Sequence, residues 1–207
     1  MIRTSDFKTK IFRFRVILNR IVPAIWRIID VPANYTFRKF HFCLIGAMGW
    51  SGYHLFFFHG KNLVIGPETE SSMMHPYFPS RIRDYWSDKN KRLYNYFPKE
   101  TIITYEYDMG DSWEHTIILE DILPKEKKKY PICIDGKRAC PPEDCGGVPG
   151  YYHILEVLAN PSHEEYEDVI NWLPKNYDPE KFDLQETNEN IKYTLKHPED
   201  FEEIFDE

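Results

Sequence analysis

Between Thr101 and Leu119 the chain doubles back on itself. Two runs rich in β-branched and aromatic residues, Thr101 to Asp108 and Ser112 to Leu119, flank Met109-Gly110. Such runs joined by a tight glycine-containing turn form an antiparallel hairpin. A lone hairpin is marginal in water, so these strands need neighbours and a cover for their apolar face.

The rest of the chain supplies both. Phe12, Phe14, Val16 and Leu18 alternate with Arg13, Arg15 and Ile17, which reads as a strand with its cations on the solvent face at a sheet edge, and Ala24 to Val31 resumes extended structure after Pro23. Thr36 is placed to cap a helix whose apolar stripe is Phe37, Phe40, Leu44 and Met48, and Gly49 stands where a left-handed C-terminal cap is wanted. His41, beside that stripe, reads as a hydrogen-bonded packing residue. Tyr53 to Phe58 is a further strand.

Residues 66–100, including Met73 to Pro79, show no sustained period and read as an irregular loop or insertion. Three helices are expected near the C-terminus. Tyr151, Ile154, Leu155 and Leu158 face inward in the first. Ser162 and Glu165 form a capping box for the second, with Tyr166, Val169, Ile170 and Leu173 inward, and the third spans about Leu184 to Leu195.

At 42% hydrophobic and 16% aromatic over 207 residues, the chain carries enough apolar mass for a core without disulfides. No apolar run approaches the ~20 residues of a membrane span, and Met1 to Lys8 lacks the apolar centre of a secretory signal. A cytoplasmic protein with no membrane contact is expected, and its four cysteines should be thiols or metal ligands. The net charge of −7 is unevenly spread: +7 over residues 1–40, −3 over 41–160 and −11 over 161–207. DNA contact is therefore expected, if anywhere, at the basic N-terminal segment with Arg3, Lys8, Lys10, Arg13, Arg15 and Arg20.

Several clusters offer chemistry. With a two-residue turn, Glu106 faces Trp113, and Ile102, Thr104, Glu106, Trp113, His115 and Ile117 share one side of the hairpin; a one-residue bulge reverses these faces. Glu106 then reaches His115 diagonally, so Glu106, Asp111 and His115 are the catalytic candidates, against a structural reading in which Trp113 anchors the core. Asp108, Asp111 and Glu114 surround the turn, either as ligands for magnesium or as ordinary turn formers. Cys133, Cys140 and Cys145 have C-x6-C-x4-C spacing and suit a Cys3His zinc site completed by His115 or His153, or else buried reduced thiols. Residues 48–58 overlay residues 109–119 with Met, Gly, Ser and His in common, which raises an internal repeat placing His54 and His115 in equivalent settings.

Four segments read together carry a resemblance: Pro23 to Arg27; Phe40-His41 through Gly49-Trp50 to His54; Tyr107-Asp-Met-Gly-Asp-Ser-Trp-Glu-His115; and Ala139-Cys-Pro-Pro-Glu-Asp-Cys-Gly-Gly147. In this order they resemble the plasmid pRiA4b ORF-3-like family, from about residue 10 to 185. The resemblance implies an α+β fold with a curled, mainly antiparallel sheet, packed helices and a helical C-terminal part. On this reading residues 1–9 are an N-terminal tail, 10–197 a single domain and 198–207 an acidic tail. It also implies an association with plasmids and insertion elements. A serine recombinase needs a nucleophilic Ser in an arginine-rich site, and no such arrangement is visible here. The expected function is an accessory interaction module binding a protein partner through Trp113, Glu114, His115, Glu143 and Asp144. A metal-dependent enzyme, such as a hydrolase, and a nucleic-acid-binding accessory protein are the competing readings.

Overall fold

A computed structural model describes residues 4–68 and 84–201. Its eight strands are β1 (Lys10–Leu18), β2 (Trp26–Pro32), β3 (Phe56–His59), β4 (Leu63–Gly66), β5 (Asp84–Ser87), β6 (Ile102–Tyr107), β7 (Trp113–Pro124) and β8 (Ile132–Lys137). They form one open sheet in the order β5-β4-β3-β6-β7-β1-β2-β8. All neighbouring pairs are antiparallel except β4 and β5. The α+β class therefore holds, with a mixed sheet.

The alternation in β1 sends Phe12, Phe14, Val16 and Leu18 to the core. However, β1 is an interior strand between β7 and β2, not an edge. Its cations are accommodated by carboxylates on neighbouring strands: Arg13 grips the fully buried Asp30 through two hydrogen bonds of 2.8 and 3.0 Å, and Arg15 pairs with Glu120 at 2.5 Å. The tail expected at residues 1–9 contains a 3-10 helix, Thr4–Thr9, whose Phe7 packs edge-on against Phe12.

Helix α1 (Phe37–Met48) covers the sheet. Thr36 Oγ1 accepts from the Lys39 N–H at 3.3 Å, and Gly49 adopts φ 83° as its N–H reaches Ile45 O, so both ends are closed as expected. Phe14 meets Phe40 and Phe97 at centroid separations of 4.8 Å, and Phe37 meets Phe58 at 5.1 Å. Each such ring stabilises the fold by roughly 1.5–3 kcal/mol through burial alone.

Part of the stretch expected to be irregular is ordered. β5 pairs in parallel with β4, and the short helix α2 (Leu93–Tyr96) buries Leu93 and Tyr96. Periodicity cannot reveal elements of four residues. Met73 to Pro79 lie outside the described residues.

Three helices follow β8: α3 (Gly147–Leu158), α4 (Tyr166–Trp172) and α5 (Leu184–Lys196). In α3, Tyr151, Ile154 and Val157 are buried. The capping box expected at Ser162 does not form. α4 begins after Glu165 with no side-chain cap, none of its residues is buried, and Ile170 is exposed. Asp183 Oδ1 caps α5 by accepting from Gln185 and Glu186 N–H. α5 crosses α1 so closely that a Cβ on Gly46 would stand 2.8 Å from Ile191 Cα. Pro198–Phe201, in the expected acidic tail, is a 3-10 helix with Phe201 buried.

Candidate functional site

Beyond the C-terminal end of α1, three segments distant in sequence meet: Trp50 to His54, the β6–β7 connection, and the loop from Cys140 to Gly147. Gly49 turns the chain so that Trp50 lies flat on Tyr107 at 4.9 Å and donates from Nε1 to Pro141 O at 3.0 Å. Glu143 fastens the three together. Its carboxylate accepts from Ser51 N at 2.8 Å, from Ser51 Oγ, and from Tyr107 Oη at 2.5 Å. Burial, then the charge of Glu143, pushes the Tyr107 phenol pKa upward, so it stays a donor.

The loop and the hairpin also touch through backbone. Gly146 N donates to Asp111 Oδ2 at 3.2 Å, and Gly147 adopts φ 66° so close to Asp111 that an added Cβ would stand 2.6 Å from its carbonyl oxygen.

The hairpin connection spans five residues, 108–112, in place of the two-residue turn. Positive φ falls at Asp108 (60°) and Ser112 (52°) rather than at Gly110. Asp108 Oδ1 accepts from Gly110 N at 2.8 Å, and Ser112 N closes on Asp108 O at 2.7 Å. The register consequently sets Tyr107 opposite Trp113, Tyr105 opposite His115 and Glu106 opposite Glu114. One residue of displacement exchanges faces.

The expected Glu106–His115 pair is thus overturned: the two side chains lie on opposite faces. Glu106 takes a hydrogen bond from Ser112 Oγ at 2.9 Å and approaches His59 Nε2 at 3.1 Å. His115 is fully buried against Trp50 and Tyr105, with Nδ1 3.3 Å from Tyr105 O. Desolvation lowers its pKa to about 4. Trp113 is also core. Neither it nor His115 can belong to a surface, whereas Asp111, Glu114, Glu143 and Asp144 keep some exposure.

The magnesium set separates as well. Asp111 turns to Gly146, Glu114 lies on the opposite face from His115, and only Asp108 joins a ligand group. His41 behaves as expected, buried with Nδ1 2.8 Å from Tyr105 Oη and its ring stacked 3.6 Å from Phe56.

The three cysteines do not converge. Cys133 Sγ donates to Asp135 O, Cys140 Sγ lies 3.2 Å from Met48 Sδ and 3.6 Å from Arg27 Nη2, and Cys145 Sγ is turned toward Gly147 O. His153 is on α3, paired with Glu165 at 2.8 Å. Each thiol has its own neighbours, and no group of three metal-type ligand atoms among the described residues includes a cysteine. Burial raises all three thiol pKa values, to about 11 for Cys133 and about 12 for Cys145.

One group among the described residues does bring three metal-type donors together. His54 lies between two carboxylates, Nδ1 3.7 Å from Asp108 and Nε2 3.3 Å from Asp144, and the three ligand atoms sit within 4.8 Å of one another. Asp108 is buried, His54 half-buried and Asp144 exposed. The sequence signal for His54 was its place in the recurring Met-Gly-x-Ser pattern, which does not survive as a structural repeat: Met48-Gly49 ends a helix and Met109-Gly110 lies in a hairpin connection. Ser51 and Arg27 stand in segments the sequence singled out, but their partners Glu143 and Cys140 are remote in the chain, so the contacts themselves carried no sequence signal.

A family model described as plasmid pRiA4b ORF-3-like protein matches residues 10–186. A protein of unknown function, MM3350 from Methanosarcina mazei Go1, has a crystal structure similar to this fold, with a TM-score of 0.75 and 40% identity, covering 85% of this chain and 96% of that one. The uncharacterized protein y4hQ of Sinorhizobium fredii (strain NBRC 101917 / NGR234) is 28% identical over 184 residues, 87% of this chain and 90% of its own length. No helix among the described residues is long and apolar enough to cross a membrane.

Proposed function

From the chain's membership of the plasmid pRiA4b ORF-3-like family, we propose that it is an intracellular accessory module of mobile elements that acts by binding a protein partner, and that the three-loop junction is its working surface. The observation that carries this reading is the Glu143 clamp. One carboxylate orders segments separated by about ninety residues, and the partly or fully exposed residues beside it, Asp111 and Asp144, are acidic. A rigid acidic rim favours a partner presenting Lys and Arg, because pre-ordered loops lose little entropy on binding.

Asp111→Asn with Asp144→Asn removes rim charge without emptying the core. Affinity purification from cells carrying the element should recover a partner with the wild-type chain and lose it with the double variant, and the binary complex should re-form from purified components. Equal recovery by a folded double variant sinks the proposal.

The His54, Asp108 and Asp144 group favours a second reading, a divalent-cation site serving a metal-dependent hydrolase. An imidazole and two carboxylates supply three ligands, leave room for water and suit zinc or manganese. Zinc is thereby proposed at His54, not at the cysteines. Stoichiometric metal after chelator-free purification, lost in His54→Ala, would support it, and a metal-free protein that takes up neither ion in calorimetry would remove it.

A further inference from the structure

On a face separate from the three-loop junction, the β7–β8 connection and α5 enclose a groove of about 830 Å³. Every charged residue lining it is a lysine: Lys125, Lys128 and Lys129 on one wall, Lys192 and Lys196 on the other. All five are exposed. Lys128 is shared with Glu126 at 3.5 Å and Asp30 at 4.0 Å, but Asp30 is already held by Arg13. Lys125, Lys129, Lys192 and Lys196 form no ion pair among the described residues. In a chain of net charge −7 this is a strong local reversal of sign.

The groove floor is apolar and aromatic. Pro131, Ile132 and Ile191 line it together with the half-buried rings of Tyr35 and Tyr130. Lys192 and Lys196, four residues apart, stand on the same side of α5. Two cationic walls over a floor of rings and prolines match a chain whose charges lie on its backbone and whose flat apolar groups turn inward.

We propose that this groove binds a short stretch of single-stranded nucleic acid, with phosphates on the lysine walls and bases over the aromatic and proline floor. Lys39 and Lys128 now stand 5.5 and 5.3 Å from the Tyr35 and Tyr130 ring centroids and yield a ring face on binding. A duplex keeps its bases stacked within itself and offers this floor nothing. The volume lies within the ~300–1,000 Å³ of small-ligand sites, which accommodates a few nucleotides. The location differs from the basic N-terminal strand, because Arg13 and Arg15 are engaged by Asp30 and Glu120, and Arg20 donates to Ser112 O.

Fluorescence anisotropy of the full chain with a labelled oligothymidine and with a duplex of equal length tests this. The single strand should bind more tightly, and log K against log salt should fall with a slope between about −2 and −3.5, for three to five phosphates neutralised. Lys129→Gln with Lys192→Gln and Lys196→Gln should weaken binding at least about tenfold at low salt, while Lys61→Gln, an exposed lysine remote from the groove, leaves it unchanged. Circular dichroism checks folding, and the three single variants replace the triple one if it fails to fold. No single-strand binding at low salt, equal affinity of the triple variant, or preference for duplex overturns the proposal. Tighter binding of a polyglutamate peptide than of the oligonucleotide also overturns it and assigns the groove to an acidic protein segment.

Discussion

Tyr105 stands directly opposite His115 across the β6–β7 ladder, and its own carbonyl oxygen is the 3.3 Å neighbour of His115 Nδ1. That register puts the imidazole in the core and sends the neighbouring Glu106 to the other face. A residue that reads as a catalytic base is held neutral inside the fold.

Stability should therefore depend on pH through His115. Its folded pKa, about 4, is below the unfolded value of 6.5, so the unfolded chain takes up the proton first. The contribution is fully present above about pH 6.5 and is lost as pH falls toward 4. Burial depresses His41 in the same direction. Urea midpoints between pH 7 and 4 should fall, with up to about 3 kcal/mol attributable to His115, and His115→Gln should flatten the curve. An unchanged slope in that variant refutes the assignment.

Two arginines on β1 should differ sharply. Arg13→Ala leaves the fully buried Asp30 without its bidentate partner and should cost about 3 kcal/mol. Arg15→Ala breaks a pair exposed by 34% and 30% and should cost less than about 1 kcal/mol. Denaturant titration of both variants separates them, and equal losses would contradict the burial argument.

The loop junction has a steric and a polar anchor. Gly147→Ala must relieve a 2.6 Å approach to the Asp111 carbonyl at φ 66° and should destabilise by about 2–3 kcal/mol. Glu143→Ala removes the acceptor for Ser51 and Tyr107 and should cost about 1.5–3 kcal/mol. Because both act on the same loop, the double variant should lose less than their sum. Strict additivity in thermal or urea unfolding would mean that the loop does not act as a unit.

Thiol chemistry gives a simple check on the cysteines. Cys43, Cys133 and Cys140 are buried free thiols, and burial holds Cys145 up at about 12. A disulfide-exchange reagent at pH 8 should label the native protein slowly and all four thiols rapidly once it is unfolded. Fast stoichiometric reaction of the folded chain would show a lowered thiol pKa and reopen a chemical role for the loop.

Local sequence rules were sufficient for β1, α1 with both its caps, and the existence of the β6–β7 hairpin, since alternation, apolar spacing and turn residues act over a few positions. The Tyr107 to His115 and Ala139 to Gly147 segments also identified the family before any contact was known. The sequence did not reveal which face each hairpin residue occupies. Positive φ at Asp108 and Ser112 lengthens the connection and exchanges the faces, so His115 and Glu106 part. Nor could it show that Glu143 reaches Ser51, that Asp30 quenches Arg13, or that lysines from the β7–β8 connection and α5 share one groove. Those relations join residues remote in the chain. Only the packing of α1 and α5 against a sheet of defined strand order brings them within hydrogen-bonding or Coulombic range.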